Sequence, residues 1–356
     1  MRDYVDVVLQ EADGNGQADL ETIYLGGGTP SLLPPESIAR LVHELALKFR
    51  IPQSTIRNQS NPQSTIRHDI EITIEANPED VTVDSARSWK AAGINRVSLG
   101  AQSFDDKVLE WMHRSHDAAR IGAAVHALRG AGIDNISLDL IFALPDELQR
   151  DWERDLDMAL ALRPTHLSLY GLTVEPRTPL DRWISRGATH APDEERYAEE
   201  YLLAHRRLAA DGFFFYEVSN AARDGFRSRH NSAYWSGKPY VGLGPAAHSF
   251  DGTTRRWNLR AWEAYRRAIA EGRSAVESEE MLTAEQREME AIYLGLRTAE
   301  GLPLAAASPR RPSPPPQFAA QGWTFEADGR LKCTPEGWLR LDSIVAELIM
   351  HSETHQ

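Results

Sequence analysis

The residues best able to do chemistry fall at the ends of short apolar runs. In "TIYLGGGTPSLL", residues 22–33, a β-branched and apolar run breaks into Gly26, Gly27 and Gly28, followed by Thr29 and Pro30. Glycines adopt positive φ and, lacking Cβ atoms, let bare backbone N–H and C=O groups approach a ligand closely. No Lys-Ser or Lys-Thr follows and G-x-G-x-x-G spacing is absent, so a phosphate loop is poorly supported. Further along, Glu75 closes "ITIE", Gln102 follows "VSLGA", Asp139 lies inside "SLDLIF", Tyr170 closes "LSLY" and Arg114 lies in "WMHRSH". A glycine nest, two carboxylates, an amide and a guanidinium suit a polar ligand bearing both an amine and a carboxylate. Taken singly, each of these residues reads more readily as a cap, a turn former or a buried, satisfied acid. Together, at six strand-end positions, they read as a site.

A second constellation lies in residues 216–250, where His230, Asn231, Tyr234 and Trp235 form H-N-x-x-Y-W. An imidazole can bind a metal ion, a phenol adds a polar contact, and an indole offers a flat apolar surface. On the residues alone the plainer reading is stronger: His230 and Asn231 bonding to backbone, Tyr234 and Trp235 packing a second domain onto the first. The glycines of "VGLGPAAHS" permit close backbone approach, and His248 in "AAHSF" is expected as a core or capping histidine, with a role as the spare ligand candidate second to that.

Apolar strand-like runs must position these residues, and over the first 170 residues they alternate with helix-like segments. The runs are "TIYL", "IEITIEA", "RVSLGAQS", "NISLDLIFALP" and "THLSLYGL". Strand-then-helix order implies parallel strands buried on both faces, hence an α/β fold, either a doubly wound sheet or a (β/α) barrel with ligands at the carboxyl ends of the strands. The chain opens on an acidic amphipathic helix, "MRDYVDVVLQEADG", with no strand before it. PQSTIR occurs twice between residues 51 and 69, a local duplication expected in a polar surface loop, and residues 303–316 are proline-rich and read as an extended linker. Beyond it, "WTFEADGRLKCTPEG" and "WLRLDSIVAELIM" predict a hairpin and a helix.

With 39 basic and 52 acidic residues among 356, the net charge is −13, which argues against a nucleic-acid-binding face or a polybasic membrane anchor. No run of eighteen apolar residues and no signal-like start are present, so a cytoplasmic protein without an integral membrane segment is expected. Cys333 is the sole cysteine, which leaves no disulfide framework and no multi-cysteine metal site within the sequence.

These stretches resemble the radical S-adenosylmethionine (SAM) enzymes of the oxygen-independent coproporphyrinogen III oxidase group, and within it the haem-chaperone branch. The resemblance covers almost the whole chain, from "YVDVVLQEA" to "LDSIVAEL". It implies a partial (β/α) barrel of radical SAM type lacking its first strand, followed by a smaller C-terminal domain with a wing-and-helix unit. The implied regions are a barrel at 1–215, a region bearing H-N-x-x-Y-W at 216–302, the linker at 303–316 and the wing-and-helix unit at 317–356. SAM is implied against "GGGTP", with Gly27, Gly28 and Thr29 at its methionyl end. Glu75 in "EANP", Gln102 in "GAQS", Arg114 in "RSH" and Asp139 in "DLI" match family positions that contact SAM. H-N-x-x-Y-W resembles the pattern that separates the haem chaperones from the true oxidases. It implies haem contact through His230, Asn231, Tyr234 and Trp235, and delivery of haem to an acceptor protein that the sequence does not name.

The family's C-x-x-x-C-x-x-C motif, which holds a [4Fe–4S] cluster just after the first barrel strand, is not in this sequence. Met1 corresponds to a point after that loop, so the chain as written is expected to hold no cluster, and either an upstream start or a degenerate member is open. His113 stands where the family has glycine before Arg-x-His, and Ala143 and Asp146 stand where it favours glycines. Three functions follow for comparison: a haem chaperone without a catalytic base; a radical SAM oxidoreductase acting on a porphyrinogen, which needs the missing cysteines; and a barrel binding a small anion or nucleotide, with acid-base chemistry through Glu75 and Asp139.

Overall fold

The computed structural model describes residues 2–15, 20–49, 70–304 and 316–353. The PQSTIR duplication and the interior of the proline-rich segment lie outside the described residues. The chain forms two compact units that interleave along the sequence. One comprises Met1–Ser98, His126–Asp134 and Ser228–Glu290, the other Leu99–Val125, Asn135–Arg227 and Ala291–Gln356.

All five expected strands form: β1 (Thr22–Leu25), β2 (Glu71–Ala76), β3 (Arg96–Gln102), β4 (Asn135–Phe142) and β5 (His166–Gly171). Two further strands, β6 (Phe214–Glu217) and β7 (Asn220–Ala222), complete a seven-stranded sheet of order β1-β2-β3-β4-β5-β7-β6. β6 spans positions 215 and 216. The pairs β1–β2 and β4–β5 run parallel, whereas β7 is antiparallel to both β5 and β6. The fold is therefore mixed α/β, with the parallel strands at the amino-terminal end of the chain.

In the first unit, β2 shows why the strand forms and what it presents. Ile72 and Ile74 are fully buried on one face, and Glu71, Thr73 and Glu75 share the other. Helices Pro35–Lys48 and Val83–Ala92 accompany β1 and β2; the second opens on a capping box in which Thr82 and Ser85 bond reciprocally, and it ends at Gly93 with φ +101°. The opening helix, Arg2–Ala12, buries Val5, Val8, Leu9 and Ala12. Its Glu11 accepts hydrogen bonds from Gly244 N (2.8 Å), Asn258 Nδ2 (2.5 Å) and Tyr265 Oη (2.5 Å), tying that helix to an antiparallel sheet of order β10-β9-β8. Those strands are β8 (His248–Phe250), β9 (Thr254–Asn258) and β10 (Val276–Met281).

In the second unit, helices Trp152–Ala161 and Glu194–Ala210 carry Leu156, Ala159, Ala204 and Leu208 into the core. The expected hairpin is present as β12 (Thr324–Ala327) and β13 (Arg330–Cys333), and helix Leu341–Glu353 follows. β11 (Leu302–Pro303) pairs with β13, so the proline-rich segment begins inside a sheet, and Pro316 opens helix Pro316–Ala320. Trp338 anchors this end by donating from Nε1 to Leu296 O at 3.0 Å.

Candidate functional site

Within the first unit, the glycine loop and the H-N-x-x-Y-W helix converge on β1 and β2. Thr22 and Tyr24 share one face of β1, and Glu71 and Glu75 share one face of β2. The Tyr24 hydroxyl donates to Glu75 Oε1 at 2.7 Å, and Gly27 N donates to Glu75 Oε2 at 3.2 Å. A Cβ at Gly26 would stand 2.5 Å from the Tyr24 ring and 2.9 Å from the Glu75 carboxylate, so any side chain there would have to displace that pair. Gly27 takes φ +82°, and Cβ atoms built on Gly27 and Gly28 meet nothing within 4 Å. Gly26, Gly27, Gly28 and Thr29 are all exposed. The loop is a shelf of open backbone with one carboxylate beneath it.

His230, Asn231, Tyr234 and Trp235 lie on helix Arg229–Trp235, which opens with the Ser228 hydroxyl accepting from Asn231 N at 3.2 Å. At seven residues the helix is too short to hold itself, and its support comes from the sheet. The buried Glu71 carboxylate accepts from Arg229 N and His230 N, each at 3.0 Å. The His230 ring stacks on Tyr24 (centroids 4.6 Å apart), its Nδ1 is hydrogen-bonded with Thr22 Oγ1 at 2.8 Å, and its Nε2 with the Tyr234 hydroxyl at 3.1 Å. Burial, reinforced by the Arg96 charge, lowers its pKa to about 4, so the ring is neutral at neutral pH. The plainer sequence reading put His230 against backbone; its ring instead bonds to two side chains. Both ring nitrogens are thereby engaged, and ligation of iron by His230 would require one of those bonds to break.

The other strand-end candidates belong to the second unit. Gln102 ends β3 with φ +67°, a left-handed conformation that aims the residue away from the strand direction. Asp139, half-buried on β4, accepts from Ser137 Oγ at 3.2 Å. That hydroxyl is hydrogen-bonded with His166 Nδ1 at 2.8 Å, and His166 Nε2 with the Tyr216 hydroxyl at 2.8 Å, a buried relay that orients the carboxylate. Arg114 is half-buried in its loop, and Tyr170 is exposed.

Two of the positions expected as glycine explain that preference. His113 has φ +53° and Ala143 φ +55°, both left-handed, which costs a side chain roughly 1–2 kcal/mol. Asp146 instead opens a 3-10 turn and pairs with Arg196. Ala143→Gly is expected to raise stability by about 0.5–1 kcal/mol, read as a higher urea midpoint with an unchanged slope; a lower midpoint would mean that the buried methyl group outweighs the strain.

Sequence reasoning missed Tyr24 and Glu71. Their signal was the alternation of β1 and β2, which sets Thr22 with Tyr24 and Glu71 with Glu75. His248 also differs from expectation: it is exposed, with its ring 6.0 Å from that of Trp257 and nearly parallel, because β8 turns it to the open face of a sheet whose other face carries the buried Thr254 and Asn258. Gly242 of "VGLG" serves that strand, since a Cβ there would collide with the backbone of His248.

The described residues contain no group of three His, Cys, Asp or Glu side chains able to hold a metal ion. Cys333 is buried, and burial pushes its thiol up to about 12. The residues present do not fit a [4Fe–4S] cluster. Among the described residues no helix is long and apolar enough to cross a membrane.

Comparison with known proteins gives the class first. The family model for the radical SAM superfamily matches residues 3–159. Coproporphyrinogen III oxidase (HemN) from Escherichia coli, a radical SAM enzyme, has a similar fold, with a TM-score of 0.73 at 21% identity over 99% of this chain and 83% of that one. A "Heme chaperone HemW" of Bacillus subtilis is 36% identical over 287 residues, 81% of this chain and 72% of the relative. Another, of Mycobacterium tuberculosis (strain H37Rv), is 36% identical over 330 residues, 93% of this chain and 81% of the relative. The chain belongs to the HemW family.

Proposed function

We propose that this chain is a haem chaperone: it binds haem beside the H-N-x-x-Y-W helix and passes it, in the cytoplasm, to an acceptor protein. The observation that supports this most is the anchoring of that helix. Glu71, Thr22 and Tyr24 hold His230, and through its ring Tyr234, in fixed geometry. His230, Asn231, Tyr234 and Trp235 form the haem-contacting region, and Tyr234, 37% exposed, is its most open aromatic ring. Porphyrin burial on such rings is driven by apolar area, while iron takes an imidazole.

SAM is the ligand assigned to the glycine loop, and the residues present fit it. Gly27, Gly28 and Thr29 offer exposed backbone to the methionyl end, and Glu75 lies within reach of Gly27 N as a partner for an amine. In the second unit Arg114 is suited to a carboxylate and Asp139 to hydroxyls, the kinds of contact that the resemblance implies for them and for Gln102. Bound SAM would supply a sulfonium-linked adenosyl group.

Titration with hemin, followed at the Soret band, tests the reading. His230→Ala is expected to weaken binding about tenfold, equivalent to about 1.4 kcal/mol. An unchanged titration would remove the H-N-x-x-Y-W helix from the haem site.

A further inference from the structure

The His230 ring begins a continuous band of aromatic side chains within the first unit. Tyr234 lies edge-on to it at 4.9 Å, Tyr240 lies 4.6 Å beyond Tyr234, and Phe250 lies 6.2 Å beyond Tyr240. Phe250 and His248 are two residues apart on β8 and therefore share a face; their partners across the ladder are Arg255 and Trp257. The His248 ring stacks near Trp257, and the Arg255 guanidinium stands 6.0 Å from the Phe250 ring centre. Val241, beside Tyr240 in sequence, is 42% exposed.

The two histidines of this band differ in what their nitrogens do. Both ring nitrogens of His230 are committed, to Thr22 and Tyr234. His248 is exposed, and neither of its ring nitrogens makes a hydrogen bond among the described residues. A neutral imidazole binds iron through a nitrogen lone pair, which His248 can offer without breaking an existing bond. Its backbone is also fixed: the loop at Gly242 packs directly on it, and Gly242 N donates to Ser249 Oγ at 3.0 Å. A ligand on a paired strand is held more rigidly than one on a loop.

We propose that His248 is the axial iron ligand of the haem site and that His230 is a positioning residue, which sets Tyr234 and the helix against which the porphyrin rests. This rests on the haem-binding reading above. The porphyrin lies along the Tyr234–Tyr240–Phe250 band with its iron at His248. Arg255, paired with Glu290 in the free protein, is the cation placed to exchange that partner for a propionate. Ligation is a single Fe–N bond with no electron transfer, so no co-reactant is needed.

The test is a hemin titration of the full chain and two variants, with absorption and low-temperature electron paramagnetic resonance reporting the axial ligand. His248→Ala is expected to lose the imidazole-ligated spectrum and at least tenfold in affinity. Millimolar imidazole should restore the spectrum, a rescue that an unfolded variant would not show. His230→Ala should bind more weakly yet keep the imidazole-ligated signature. An imidazole signature retained in His248→Ala and lost in His230→Ala would overturn the assignment while leaving haem binding intact. If the unaltered chain binds no hemin, the haem-binding reading fails, and this assignment with it.

Discussion

Glu200→Ala is expected to cost about 3–5 kcal/mol of folding stability, because it leaves a buried guanidinium without its closest counter-charge. Arg150 has no side-chain exposure; its Nη2 donates to Glu200 Oε2 at 2.6 Å, and its Nη1 stands 3.5 Å from Asp155 Oδ2. The guanidinium also lies 4.6 Å from the centre of the Trp152 ring. Burial pushes the Asp155 carboxyl up, against the opposing pull of Ser103, Phe104 and Arg150, so Asp155 alone is a poor replacement for Glu200. The measurement is a urea unfolding curve at neutral pH, with Glu200→Gln as the milder companion, since an amide keeps the volume and one acceptor.

The same network reaches the candidate site through backbone. Asp155 accepts from Ser103 Oγ and Phe104 N, both at 2.8 Å, directly after Gln102, and Glu200 accepts from Ala143 N at 2.7 Å, directly after β4. Two loops at the carboxyl ends of strands are thus tied to one buried guanidinium. Glu200→Ala should lower SAM affinity as well as stability, and a stability loss below about 1 kcal/mol would show that the ion pair is not what holds those loops.

The strands were legible in the sequence because burial on both faces writes itself as continuous apolar runs such as "NISLDLIF" and "THLSLYGL". The glycine loop was legible for a related reason: only backbone demands place three glycines at a strand end. The partners of the site were not, since they are separated by long stretches of chain. Glu71 meets His230 across 159 residues and Glu75 meets Tyr24 across 51, and no local pattern encodes either meeting. β6 and β7 escaped for want of length, at four and three residues. His248 was misplaced because "AAHSF" is apolar around it, whereas its exposure is decided by which face of β9 packs inward, through Thr254 and Asn258. Where a residue's role depends on a strand's orientation in tertiary structure, composition around it gives the wrong sign.

Glu71→Ala shows how far such a distant contact reaches. The carboxylate is 6% exposed and spends both oxygens on consecutive backbone N–H groups, those of Arg229 and His230, at the start of the short helix that bears H-N-x-x-Y-W. The N–H groups of a first helical turn have no partner within the helix, and a hydrogen bond to a charged acceptor contributes roughly 1.5–3 kcal/mol. Losing both is expected to cost about 3 kcal/mol, reduced by whatever water enters the space. Glu71→Gln keeps one acceptor and should lose about half. Because Glu71 has no proposed contact with porphyrin, any effect on hemin affinity must pass through the helix and through His230, whose ring is held by Thr22 and Tyr24 on the neighbouring strand. A tenfold weaker hemin titration that tracks the stability loss across Glu71→Gln and Glu71→Ala would support that path. A full stability loss with unchanged hemin affinity in the still-folded fraction would separate the helix from the haem site.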